Sequence, residues 1–173
     1  MFRPLLHLIA CLALLSLPTL CAGEGPDREL VNRYVSALKP GSGATVESRL
    51  KMIAYLESAY ADSNSGFISS VLLDLSSVIR EPEARVREAA ARAVGAVCQL
   101  DNVMYLNRLV RAANPTLEPS PQVRIAALRS LARSRSHLAA GRIQDSTKAT
   151  EEPEAAVREE ALTLLRTHPH LLK

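Results

Sequence analysis

The chain has 173 residues, 47% of them apolar and 23% charged, and carries a formal net charge of +3. Those proportions exclude a disordered chain, and so small an excess of positive charge is by itself no sign of nucleic-acid binding. Aromatic residues are only 3% and Trp is absent, so the core must be filled by small and branched aliphatics, which suits closely packed helices better than a sheet.

The elements begin with an export signal. Met1-Phe2-Arg3 gives a short positive start, and Leu5 to Leu20 is almost wholly apolar. Pro18 breaks the run, and Cys21-Ala22-Gly23 supplies small residues before the charged Glu24. That order is the layout of a secretory signal peptide. The apolar run falls short of the roughly 20 residues that a membrane-spanning helix needs, so an uncleaved anchor is the lesser reading. Residues 1–23 are read as the signal, with cleavage after Gly23 or Ala22, and residues 24–173 as the mature domain. A lipid on Cys21 is an alternative, although bacterial lipoprotein signals place a small residue before that cysteine and here Leu20 stands there. The expected location is periplasmic or secreted, with membrane association only if the N-terminus is retained or Cys21 is lipidated. Cleavage leaves Cys98 alone, unable to form an internal disulfide and read as a small buried hydrophobe.

Past the signal, apolar residues step with helical spacing. Leu30, Val31, Tyr34, Val35 and Leu38 form the first such face. A second follows in Phe67, Ile68, Val71, Leu72, Leu75, Val78 and Ile79, and a third in Val103, Leu106, Leu109, Val110 and Ala113. Between Ser136 and Thr150 only Leu138, Ala139 and Ile143 serve as anchors, which predicts a short or irregular helix there.

A second kind of segment follows each of these. Val86-Arg87-Glu88-Ala89-Ala90, Val123-Arg124-Ile125-Ala126-Ala127 and Val157-Arg158-Glu159-Glu160-Ala161 open three copies of one pattern, and Ser48-Arg49-Leu50-Lys51-Met52 a fainter fourth. Their starts at positions 48, 86, 123 and 157 recur at a period that means a stacked array of structural units. Within each copy the apolar positions fall at i, i+4, i+5 and i+8, one stripe of a helix. Alanine at i+4 lets a neighbouring helix come close. Glu81-Pro82-Glu83, Pro119-Ser120-Pro121 and Glu152-Pro153-Glu154 precede the three strong copies; proline there forbids the earlier helix to continue and suits the first turn of the next. The fold is therefore all-α, a short α-solenoid of about four stacked helix pairs.

The Val-Arg-x-x-Ala-x-x-x-aliphatic second helix, preceded by an acidic, Pro-containing turn, resembles the HEAT repeat, in its PBS-lyase-like variety, over roughly residues 27–168. The resemblance implies that the arginine after valine pairs with the acidic residue of the turn, so that Arg87, Arg124 and Arg158 form a structural ladder with Glu81, Glu118 and Glu152. It also implies second helices on the concave side of a curved stack. A row of ligand-binding arginines is the functional alternative for the same residues.

The search for chemistry returns no catalytic residue, no metal set and no cofactor cradle. There is no Gly-rich phosphate loop, no Gly-x-Ser-x-Gly turn, no Cys-x-x-Cys and no His-Glu-x-x-His. His137 lies in the polar connector, and His168-Pro169-His170 lacks a third ligand to make it a metal site. What remains is charge. Eleven arginines lie between Arg80 and Arg142, and beyond Ile143 the balance turns acidic. Arg92 and Arg129 occupy matching places in successive copies and Arg133 lies one turn further on. These three are the candidate binding residues, a basic stripe for an acidic protein surface, with a solvated helix face as the plain alternative. The expected function is a non-catalytic protein–protein interaction module or scaffold of the cell envelope, binding no nucleic acid, or else an accessory subunit to an enzyme or cofactor-delivery complex.

Overall fold

A computed structural model describes residues 26–39, 41–98, 100 and 102–172 of the chain. The segment read as an export signal, residues 1–23, and Cys21 with it, lies outside the described residues. Eight α-helices follow in order: α1 (Arg28–Ala37), α2 (Val46–Ala59), α3 (Gly66–Leu75), α4 (Ala84–Val97), α5 (Val103–Ala112), α6 (Pro121–Leu131), α7 (His137–Asp145) and α8 (Ala155–Thr167), with a 3₁₀ turn at Pro169–Leu172. No strand occurs among the described residues. The helices pair as α1–α2, α3–α4, α5–α6 and α7–α8, and the pairs stack into a short α-solenoid with one continuous core.

The helix starts are set by short polar side chains that accept hydrogen bonds from otherwise unpaired backbone N–H groups. Asp27, Thr45, Ser65, Asn102, Ser120 and Ser136 each do this, and Pro121 occupies the first turn of α6. The stripe along the second helices is buried as its spacing predicts: Val86, Ala90, Ala91 and Val94 on α4 and Val123, Ala127, Leu128 and Leu131 on α6 are all at 0% exposure. These helices form the more closely packed layer, α4 lying against both α2 and α6. Small residues are what allow it. A Cβ placed on Gly95 of α4 would come within 2.5 Å of Ser130 Oγ and 3.0 Å of Ser130 Cα on α6. Ser130 itself is buried and donates to the Ala91 carbonyl at 2.7 Å, pinning one second helix to the next.

The first helices match expectation less fully. α3 stops at Leu75, where the Ser76 backbone N–H bonds back to Leu72 and its hydroxyl donates to the Leu73 carbonyl at 2.8 Å. Val78 and Ile79 therefore fall in the turn instead of on the helix face, and both are exposed, Ile79 at 78%. Phe67 and Val103, at the opening turns of α3 and α5, are exposed as well, while Ile68, Leu72, Leu106 and Leu109 fill the core. α7 is short but regular, anchored by the fully buried Ala139 and Ile143, with Leu138 turned outward.

Candidate functional site

The arginine ladder exists, but it runs between units and not within them. Arg87 donates from Nε and Nη2 to the carboxylate of Glu118 at 2.7 and 2.8 Å, and Arg124 does the same to Glu152 at 2.9 Å for both bonds. Arg49, in the faint first copy, pairs with Glu81. Each arginine thus reaches the glutamate of the following unit. This corrects the pairing of Arg87 with Glu81 and of Arg124 with Glu118. The nearer glutamate contributes its backbone instead: Arg87 Nη1 donates to the carbonyls of Glu81 and Pro82, and Arg124 Nη1 to those of Glu118 and Pro119.

The physical reason is the turn. Each glutamate's side chain accepts the backbone N–H two residues on, Glu81 from Glu83, Glu118 from Ser120 and Glu152 from Glu154. That bond curls the carboxylate back over its own turn, toward the preceding unit. Its backbone carbonyl is left facing the arginine of its own second helix. The members of the two complete bidentate rungs, Arg87, Glu118, Arg124 and Glu152, are each at most 2% exposed, so these are buried, fully hydrogen-bonded pairs of the strong kind. Arg158 makes the same backbone bonds, to Glu152 and Pro153 at 2.8 and 2.6 Å, but meets no carboxylate among the described residues.

The proposed basic stripe is differently placed in charge than in space. Arg92, Arg129 and Arg133 are all exposed on or beside second helices, as expected. Each, however, already faces an acid from another unit: Arg92 pairs with Glu57 at 3.2 Å, Arg129 doubly with Glu160 at 2.9 Å, and Arg133 with Asp62 at 3.5 Å. The two hydrogen bonds to Glu160 raise the Arg129 pKa, and the guanidinium in turn holds the Glu160 carboxyl below the usual range. Arg92 and Arg129 therefore bridge to neighbouring units, Arg133 lies within ion-pair distance of the exposed Asp62, and each of the three has an acid beside it.

Unneutralised charge appears instead on the first-helix side. The exposed turn after α3, the C-terminal half of α5 and the turn before α6 enclose an open groove of about 450 Å³. Val78, Ile79 and Leu117 expose apolar surface in it. Arg80, Arg108 and Arg111 line it also; Arg108 pairs with Asp74 at 2.5 Å, whereas Arg80 and Arg111 meet no carboxylate among the described residues. Periodicity alone hides this groove, because it assigns Val78 and Ile79 to a buried helix face. The serine pair Ser76-Ser77 immediately after Leu75 is the signal that the helix ends first.

The remaining candidates are accounted for locally. His170 Nε2 lies 3.1 and 3.2 Å from the carbonyls of Ala132 and Ser134, and His168 Nδ1 lies 3.2 Å from that of Leu164. One nitrogen of each ring is thereby engaged with backbone carbonyls. Cys98 caps α4 and donates to Ser69 Oγ at 2.7 Å. Burial pushes its pKa up, more than the Ser69 hydrogen bond lowers it, which favours the thiol over the nucleophilic thiolate. No described helix is long and apolar enough to cross a membrane. No protein-family model matches the chain, and no curated protein is significantly similar to it.

Proposed function

We propose that this chain is an exported, non-catalytic interaction module of HEAT-like architecture that binds a protein through an acidic segment. The repeated Val-Arg-x-x-Ala helices behind acidic, Pro-containing turns support the likeness to HEAT repeats, and the order of residues 1–23 supports export to the periplasm or beyond. One observation carries the binding reading: Arg80 and Arg111, which pair with no carboxylate among the described residues, line one groove with the exposed Val78, Ile79 and Leu117. A guanidinium pair next to apolar surface suits an extended segment that alternates acidic and apolar side chains. The second-helix arginines would first have to release Glu57, Glu160 and Asp62, so they are the weaker surface.

The test is capture of partners from the native envelope and secreted fractions by three proteins. These are the parent, an Arg80→Glu/Arg111→Glu variant and an Arg92→Glu/Arg129→Glu variant, all checked for unchanged helicity. The first pair should abolish capture and the second should weaken it less, with parent binding declining as salt rises. Equal recovery by all three would remove the groove as the contact. The identity of the captured protein separates a scaffold from an accessory subunit of an enzyme. N-terminal sequencing should find the mature chain beginning at Gly23 or Glu24; Met1 retained in a cytosolic fraction would overturn the export reading.

A further inference from the structure

The outer face of α8 repeats surfaces that α4 and α6 bury. Arg158 occupies the place of Arg87 and Arg124, and its Nη1 makes the same two backbone bonds, so the guanidinium is already oriented as in a finished rung. Leu162 stands where α4 has Ala91 and α6 has Leu128. Both of those are at 0% exposure, yet Leu162 is 46% exposed. Leu165 corresponds to the fully buried Val94 and Leu131 and is itself only partly buried. Further along, Leu162, Leu165, Pro169 and Leu172 line an open, mainly apolar depression of about 360 Å³. α8 thus turns outward the apolar stripe and the ladder arginine that α4 and α6 bury between units.

We infer that this face, Arg158 with Leu162 and Leu165, docks a helix of a different protein that carries a carboxylate in the turn before it, seated as the next unit of the stack would be. The inference rests on the reading of the chain as an interaction module but uses a surface separate from the Arg80–Arg111 groove. The occupant's chemistry is specified by the two complete rungs: a carboxylate that accepts both Nε and Nη2, followed by an apolar helix face. Glu159, beside Arg158, is no obstacle, because Glu88 stands in the same place beside Arg87 and that rung still forms. A second copy of this chain does not fit. The residue of its first unit that corresponds to Glu81, Glu118 and Glu152 is Gly43, held at a φ of +75°, so it offers no carboxylate in register. The glutamates of its inner units are already buried in their own rungs.

The experiment places a photo-crosslinking residue at Leu162 of the full chain in its native cell, and in a second strain at Arg80, and maps the adducts. The Leu162 probe should attach to a helix of another protein that has Asp or Glu in the preceding turn. Arg158→Glu should cut that adduct about tenfold or more, and Arg or Lys in place of the partner's acid should restore it. Leu162→Lys, at an exposed position, serves as a second disrupting variant if Arg158→Glu loses helicity. Adducts at Leu162 to a second copy, or to a surface lacking an acidic turn, would overturn the inference. Adducts at Arg80 with none at Leu162 would overturn it too while leaving the interaction module standing. Adducts at neither position would overturn both.

Discussion

A guanidinium is a planar fork of donors, and Arg124 uses that plane to join three pieces of backbone and side chain at once: the carbonyls of Glu118 and Pro119 behind it and the carboxylate of Glu152 ahead. Burying such a pair costs desolvation that its attraction only about offsets, but removing one partner strands the other charge in the interior, at about 3–5 kcal/mol. Arg124→Ala and Glu152→Ala should each destabilise by that order in urea melts. The double variant should lose far less than the sum, because each single change already breaks the same pair. Glu118→Ala combined with Arg124→Ala should come closer to additive, since the Glu118 carboxylate belongs to Arg87 and the carbonyl that Arg124 uses survives the substitution. Strong coupling of Arg124 to Glu118, and none to Glu152, would reverse the direction of the ladder. The existence of these rungs is legible in the sequence, as Val-Arg behind an acidic turn, but the partner is not. Linear spacing favours the glutamate six residues upstream, and only the turn's own hydrogen bond to that side chain swings its carboxylate away to the preceding unit.

At the scale of the helices, the contact of α4 with α6 depends on what is missing from Gly95. Gly95→Ala sets a methyl group against Ser130, its Oγ at 2.5 Å and its backbone Cα at 3.0 Å. Turning the Ser130 hydroxyl away relieves only the Oγ contact, so the two helices must also part, straining the bond from Ser130 to Ala91. The expected loss is about 1–3 kcal/mol, read from thermal melts, and part of it should return in Gly95→Ala/Ser130→Ala. A parent-like melt for Gly95→Ala would mean the helices stand further apart. The clasp of α6 to α8 makes a pH-dependent contribution through Glu160. Arg129 lowers its folded pKa, so the stabilisation is complete above the unfolded carboxyl value of about 4.3 and fades as pH falls through the lower folded value. Denaturation midpoints of the parent and Glu160→Gln should differ at neutral pH and converge in acid; a constant gap would remove the linkage. The helices and their starts follow from period and capping residues, which are local signals. The end of α3 at Leu75 is harder to read, because an apolar Val78-Ile79 pair continues the pattern past a serine that terminates it. Exposure of those two side chains is decided by the turn, and the turn places them in the groove.

Over the whole molecule, each unit touches mainly its neighbours, so stability is a sum of unit and junction contributions and is lowest where a junction is missing. Amide exchange should therefore be slowest in α4 and α6, which are held on both sides, and fastest in α1 and α8. Uniform protection along the chain would argue for a single undivided cooperative unit. The ladder's direction has one further consequence. Every junction joins the same two chemical groups, an arginine from one unit and a glutamate from the next, so the two inner units are interchangeable in charge. Cutting out residues 102–135, one entire helix pair, would bring Arg87 to face Glu152, and the shortened array would still have no buried charge without a mate. Removing only α5 and its turn would take Glu118 away from Arg87 and leave an ion alone in the core. Gene duplications and losses that keep every buried charge paired must therefore add or remove an arginine and a glutamate together, a whole helix pair at a time.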